Sequence, residues 1–554
     1  LAILPDPGGK RQAGLPQLSY ADTLISGGRI FRGLQEGFCD ALAIYRDRIV
    51  AAGDAHAVEA VAGPQTRHID LAGRVAIPAF NDAHQHLLPL GLGLAHVNLR
   101  AEQVKTLDEL LRRLQARAAV TPKGQWILGR GYDHAELDIA RHPTEAELTA
   151  AVPDHPVFIR RTCGHMGVAN QAALAIAEVG HNTPDPEGGV IERAQGRLTG
   201  LFQERAMRLI FDKQGTPSPQ VLREAIVQAG QHMLTLGVVS VMDANIGMAA
   251  GIDEITAYRQ VEAAGDLPVR VWGCLAGNPE GIAEEAWAAG IRPGQGSALL
   301  RFGAMKVFAD GSAGGLTAAM FEPYRQGGAG VFCFPDETMH ALLARYHAQG
   351  WQLAIHAIGD AAIEQVLSGM EAADDASAPV AGRRHRIEHC GFLSKRQMAR
   401  MAARGIEPVP QPIFIYEFGD TYITNLGPDR AAASYPMRSW LDAGQHPAAS
   451  SDAPVSTTDP FRNLFTMVTR QTNRGTVIGA DQAISLAEAV HCLTYNGAYT
   501  QFAEAQRGRL LPGMLADITV LSCDIFAAPV EQLLTTHADL VLRGGQIVYT
   551  RGDA

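Results

Sequence analysis

Two histidines alternate in the stretch NDAHQH, His84 and His86, at the end of a short apolar run. In extended backbone the side chains at i and i+2 share a face, so both imidazoles can reach one cation. An H-x-H pair alone is weak evidence, because the same pattern arises at structural or surface positions. The company it keeps changes its weight. His356 ends LAIHAIGD, His389 ends RIEHC and Asp452 ends ASSDAP, each after a short apolar segment. Imidazole and carboxylate are ligands suited to Zn, Fe or Mn. Four histidines and an aspartate, all at strand ends, are hard to explain as satisfied core polar groups. Lys306, in GAMKVFADGS, is a further candidate. Burying its ammonium is costly. Either it pairs with Asp310 or another carboxylate, or CO₂ has carboxylated the amine to a carbamate that bridges two metals. The chemistry such a set supports is hydrolysis by a metal-bound hydroxide, because a Lewis-acidic cation lowers the pKa of water toward ~7.

The elements that must position these residues recur from about residue 75 to 505. Eight short apolar segments qualify as strands: RVAIPAFNDAH, VVSVMDA, VRVWGCLA, LRFGAMKVFADG, QLAIHAIGD, HRIEHC, EPVPQP and PAASSDAP. Helical segments such as AAIEQVLSGMEAA stand between most of them. Repeated β–α units with near-continuous apolar strands predict a parallel sheet, and eight of them a closed TIM (β/α)8 barrel within 76–505. The candidate ligands then sit at the C-terminal strand ends, where such barrels place their active sites. The two termini read differently. Residues 17–75 and 506–554 alternate apolar and polar residues as half-buried strands do. LISGGRIF and LVLRGGQIVY resemble each other, so one small β domain is expected from both ends. Residues 95–220 carry helices and strands of their own and are expected to form an inserted subdomain over the barrel mouth.

The ordered set NDAHQH, MKVFADGSAGG, IHAIGD, RIEHC, SSDAPV and GRLLPGMLADITVL resembles the amidohydrolase superfamily. Within it the chain is similar to the amidohydrolase-3 group, which includes N-substituted formamide deformylases. The likeness runs from about Asp22 to Gly552, and GRGYDHAEL, RRTCGHMGVANQAAL and DPEGGVIERAQGRLTGLFQE share it. The resemblance implies that the terminal β domain is a β-sandwich. It assigns His84, His86 and Asp452 to one metal and His356 and His389 to a second, with Lys306 as a carboxylated bridging ligand. Relatives also exist in mononuclear forms. The chain departs from many relatives in carrying Met242 where they carry a histidine. The expected reaction is cleavage of a non-peptide C–N bond of an amide or N-substituted formamide. Asp452 would hold the attacking water, take its proton and hand it to the departing amine. A deaminase, a cyclic amide or imide hydrolase or an esterase on the same scaffold stays open, as does an inactive regulatory or binding protein. Beyond the metal set, the resemblance points to His165 as a catalytic or substrate-contacting residue, its alternative being a helix or turn cap. Tyr132 and Asp133 are weaker candidates, an Asx-turn being the alternative for Asp133, and Trp126, Tyr132, Phe158, Phe414, Tyr416 and Phe418 either point to an apolar substituent on the substrate or belong to the core. Arg386 and Glu388 are expected to form a charge pair beside His389, and Asp310 to support the ligands from behind, its alternative being a helix cap after the strand.

Composition narrows the classes further. At 554 residues more than one domain is expected. A net charge of −11 argues against a general nucleic-acid surface, and the cluster Arg112, Arg113 and Arg117 reads as a solvated helix face. Seven cysteines contain no C-x-x-C pair, so reduced, mostly buried thiols and a cytoplasmic location are expected, with secretion left open. No apolar run approaches the ~18 residues a membrane span requires. The expected partners are a small-molecule amide, one or two divalent metals (zinc, with iron or manganese as alternatives) and a second copy of the chain as a homodimer. Leu1–Pro16 resemble a processed or truncated terminus and stand outside the fold reasoning.

Overall fold

The structure, a computed structural model, describes residues 20–552 except 101–102, 162–165 and 187–188. The chain divides into two compact units, residues 1–88 with 229–554, and residues 89–228.

The first unit is built on a parallel sheet in strict chain order. Its strands are β1 (Phe80–Gln85), β2 (Val238–Ile246), β3 (Arg270–Ala276), β4 (Leu300–Phe308), β5 (Gln352–Ala357), β6 (Arg386–His389) and β7 (Glu407–Val409). Every residue of β1, β2, β3, β5, β6 and β7 is buried. These strands are covered on both faces, which is why their sequences run apolar without alternation. Inside the sheet Met242, Ala244, Trp272, Cys274, Ala304 and Ala354 form one cluster. Small residues dominate it, and the single indole packs directly over Gly303.

Seven strands form, and the eighth expected segment, PAASSDAP, does not. Residues 447–454 nevertheless run between β7 and β1. The amides of Ala448 and Ser450 donate to the carbonyls of Pro408 and Pro410, and that of Asp452 donates to His84 O at 2.7 Å. The amide of His86 donates in turn to Ala453 O at 2.8 Å. A parallel ladder also needs N–H groups from residues 408 and 410, and proline has none. The seam therefore closes in one direction only on its β7 side, leaving a nearly closed barrel.

The chain termini supply two further sheets. One has the order Arg48–Gly53, Ala41–Tyr45, Thr23–Ser26, Arg67–Asp70. The other has the order Gln546–Thr550, Ala538–Arg543, Ile518–Leu521, Val75–Pro78, Arg29–Gly33, Gly37–Cys39. Ile25, Leu42 and Ile44 of the first share an apolar cluster with Ile30, Ile518, Val520 and Leu542 of the second.

The second unit carries its own six-stranded mixed sheet, from Val97–Asn98 to Arg197–Glu204. Its helices Leu107–Val120 and Glu145–Ala151 both start with capping boxes, Thr106 with Glu109 and Thr144 with Glu147. Arg112 is exposed, and Arg113 and Arg117 are half-exposed, on the first of these. Among the described residues no helix is long and apolar enough to cross a membrane. The six described cysteines are free, four of them buried; Cys163 lies outside the described residues.

Candidate metal centre

The C-terminal ends of β1, β4, β5 and β6 and the segment after Ser451 bring the predicted ligands together. The Nε2 atoms of His84 and His86 stand 3.4 and 3.2 Å from Asp452 Oδ1. Among the described residues these three form a group whose ligand atoms lie within 4.8 Å of one another. Lys306 Nζ lies 3.2 Å from His84 Nε2. The rings of His84 and His389 are 4.9 Å apart and those of His356 and His389 4.3 Å apart.

Three of the four rings are oriented from behind. A neutral imidazole has one N–H and one lone pair, so fixing the N–H fixes where the lone pair points. His84 Nδ1 is bonded to the Glu388 carboxylate, His389 Nδ1 to Gln411 Oε1 at 2.6 Å, and His356 Nε2 to the Gly311 carbonyl at 3.0 Å. One nitrogen of each ring is left to accept a cation. Gln411 is itself held by Val409 O and Ser450 Oγ. Burial first, with Lys306 beside it, lowers the pKa of His84; burial, with His356 beside it, pushes that of His389 well below the ordinary value. Both rings are thereby kept neutral, as ligands must be. Burial alone would raise the Asp452 carboxyl, but His84 and His86 hold it well below the usual carboxylate range. Its Oδ1 is buried without a well-formed hydrogen bond, and so is Nδ1 of His86. An acceptor-only atom facing two imidazoles fits a divalent cation.

The backbone is strained where it delivers two of these groups. His389 and Asp452 have φ of 67° and 57°, in the left-handed region that residues with a Cβ seldom occupy. Asp82 holds the second of these turns in place, accepting the Ser451 amide at 3.0 Å and its hydroxyl at 2.5 Å.

A profile of the amidohydrolase family matches residues 67–549. The chain belongs to the amidohydrolase family. This amidohydrolase is 31% identical over 534 residues to the putative amidohydrolase YtcJ of Bacillus subtilis, covering 95% of this chain and 99% of that one. It is 29% identical to the N-substituted formamide deformylase of Arthrobacter pascens, over 91% of this chain and 94% of that protein. The crystal structure of an uncharacterized metal-dependent hydrolase from Pyrococcus furiosus superposes with a TM-score of 0.75 at 26% identity, covering 90% of this chain and 98% of that one. Family, structural likeness and the histidine–aspartate cluster together support a metal-dependent hydrolase.

Two residues of the amidohydrolase take up more of the site than their types announced. Glu388 accepts from Arg386 at 2.6 and 2.8 Å as well as from His84, and all three are fully buried. Alternation along RIEH turns both charged side chains inward, which is the signal for the pair itself; the link to His84 has none along the chain. Burial alone would raise the Glu388 carboxyl, but Arg386 and His84 hold it well below its usual range. Asp310 accepts the amides of Ala319, Ile358 and Gly359 at 2.8–3.0 Å and lies 3.4 Å from His356 Nε2. It ties the loop after β4 to the loop after β5. Met242 lies in the barrel interior with Trp272 and Cys274.

The remaining candidates take other positions. His165 lies outside the described residues. Tyr132 is buried in the core of the second unit, its hydroxyl 2.9 Å from His142 Nδ1. Asp133 accepts the Ala135 amide as an Asx-turn and pairs with Arg161 at 3.0 Å. Trp126 and Phe158 belong to an apolar cluster of that unit. In the first unit Phe414 stacks 6.3 Å from His389, and it packs with Tyr416 and Phe418 in one cluster.

Proposed function

We propose that this amidohydrolase cleaves a non-peptide C–N bond, of an amide or N-substituted formamide, at the centre built from His84, His86, Lys306, His356, His389 and Asp452. The observation that carries the reading is the directed set of lone pairs. Three histidines have one nitrogen tied to a protein partner, and Asp452 Oδ1 faces two imidazoles. His84, His86 and Asp452 would hold one divalent cation, taken as zinc, and His356 and His389 a second. When bound, the cation supplies Lewis acidity, which brings a water's pKa toward ~7 and polarises a carbonyl.

The protein's own groups do the rest. Asp452, kept ionised, accepts the proton of the attacking water and returns it to the departing nitrogen. Glu388 and Arg386 lock the tautomer of His84. Among the described residues Lys306 has no carboxylate within ion-pair distance. Burial lowers its pKa, against Glu388 and Asp452, which raise it. A neutral amine is the form that reacts with CO₂, which supports a carbamate on Lys306. The likeness to a protein named N-substituted formamide deformylase supports the choice of bond. His165, Tyr132 and Asp133 remain the proposed substrate-side residues.

Metal analysis of the purified protein, joined to product detection over a panel of N-substituted formamides, simple amides, an ester, a cyclic imide and a cyclic amidine, tests this. Amine and formate released together, fastest from the formamides, is the expected result; preferential ester cleavage or ammonia from the amidine overturns the choice of bond. Asp452→Asn should lower turnover by roughly 10²–10⁴-fold. Full activity in that variant with metal retained removes the proton role.

A further inference from the structure

The opposite end of the barrel gathers charge of the other sign. Arg270 and Trp272 stand at the start of β3, Arg301 at the start of β4, and Arg507 beyond the helix Tyr495–Thr500. With Gln501 and Phe502 they line one small cleft of ≈ 30 Å³. Lys306 is five residues beyond Arg301 on the same strand, a separation of roughly 16 Å at the rise of extended backbone.

The cleft has donors without acceptors. Arg270 is matched by Asp517, at 2.9 and 3.1 Å. Arg543, also near Asp517, donates to the carbonyls of Leu267 and Pro268. Glu262, outside the lining, takes the Ser297 hydroxyl. Arg301 has neither a carboxylate nor a hydrogen-bond acceptor among the described residues. Arg507 gives one N–H to Gln501 Oε1 at 2.7 Å, while its Nε is buried without an acceptor. The indole N–H of Trp272 is likewise buried and unmatched, in a residue 6% exposed. Burial, with Arg270 and Arg301 beside it, pulls the Arg507 guanidinium down to about 10.

Two guanidiniums without a counter-charge, next to buried orphan N–H groups, lack an oxyanion and not a cation. We propose that this cleft at the base of the barrel binds a phosphoryl dianion, either inorganic phosphate or the phosphate ester of a small molecule. The dianion's charge matches Arg301 and Arg507, and its oxygens can accept from both guanidiniums. Phe502, 44% exposed and 6.1 Å from the Trp272 ring, offers an apolar face to the substituent of an ester.

The metal-loaded protein, in a phosphate-free buffer, is titrated calorimetrically with inorganic phosphate and with phenyl phosphate, and its thermal midpoint is followed. Saturable one-to-one binding that raises the midpoint is expected. Tighter binding of phenyl phosphate identifies an ester; equal affinities identify free phosphate. Arg301→Gln should weaken binding by roughly tenfold or more while turnover is unchanged. Binding that survives Arg301→Gln but disappears on chelation belongs to the metal centre and overturns the proposal. A crystal of the unsubstituted protein soaked in phosphate supplies a second readout, independent of how the variant folds. Density between Arg301 and Arg507 supports the site, and an empty cleft refutes it.

Discussion

Glu388 has two partners and no solvent. It stands between the Arg386 guanidinium and His84 Nδ1, all fully buried. The arrangement serves two ends: Arg386 keeps the carboxylate ionised, and the carboxylate turns His84 Nε2 toward Asp452. Carboxylates placed behind ligating histidines fix the tautomer and raise the basicity of the ring. Glu388→Gln keeps the shape and removes the charge. It should weaken metal binding by roughly 10–100-fold in a chelator competition. The same change leaves Arg386 buried without a counter-charge, at a cost of about 3–5 kcal/mol in denaturant unfolding. Unchanged metal affinity would show that His84 needs no help from behind. Arg386 and Glu388 were legible as an inward pair from alternation along one strand. The bond to His84, 304 positions away in the chain, was not, because it depends on the register between strands that are not neighbours.

All eight barrel segments read as short apolar strands, since burial on both faces leaves no polar alternation, and seven of them form. The eighth, PAASSDAP, does not, although its residues sit where a strand would. Its amides find the carbonyls of Pro408 and Pro410, and those prolines return no N–H. Element-level packing also sets the interior. A Cβ at Gly303 would meet Cζ2 of Trp272 at 1.8 Å, between a strand and an indole that are both closely confined. Gly303→Ala should destabilise the protein by about 1–3 kcal/mol through overpacking, read as a lower denaturant midpoint. Trp272→Phe added to it should restore part of the loss. An alanine variant as stable as the parent would mean that the indole has room to move.

For the molecule as a whole, buried neutral histidines contribute to acid stability. The Leu353 amide donates to His385 Nδ1 at 3.0 Å, which leaves the His385 proton on Nε2, facing His347 Nδ1 at 2.8 Å. His347 Nε2 then donates to the Ala378 carbonyl at 2.8 Å. The chain ties the helix Asp336–Ala348 to β5 and to the start of β6, and it works only while both rings are neutral. Burial, with His347 beside it, lowers His385 to about 3 from the ordinary 6.5. The unfolded chain therefore takes up a proton below pH 6.5 that the folded one refuses until about 3. Stability from this group is full above 6.5 and lost as pH falls through that window. Glu254, raised by burial to about 7, acts in the opposite sense between its unfolded and folded values, so the test is a difference. The stability gap between the parent and His385→Gln should shrink by about 1.4 kcal/mol per pH unit from pH 6 to 4. A gap independent of pH would remove His385 from the account.

The amino-acid sequence alone determined the family, the order of the barrel strands, and which residues, His84, His86, Lys306, His356, His389 and Asp452, are proposed as ligands. Those properties are local: strand periodicity and residue type survive in one dimension. Tertiary structure alone decided what lies behind each ligand and at the far end of the barrel. Glu388, Gln411 and Gly311 orient three rings from other strands and loops, and the left-handed turns at His389 and Asp452 persist because surrounding contacts outweigh their strain. The cleft of Arg301, Arg507 and Trp272 likewise has no signature along the chain. Its character is an excess of donors over acceptors, which exists only once distant segments are packed together.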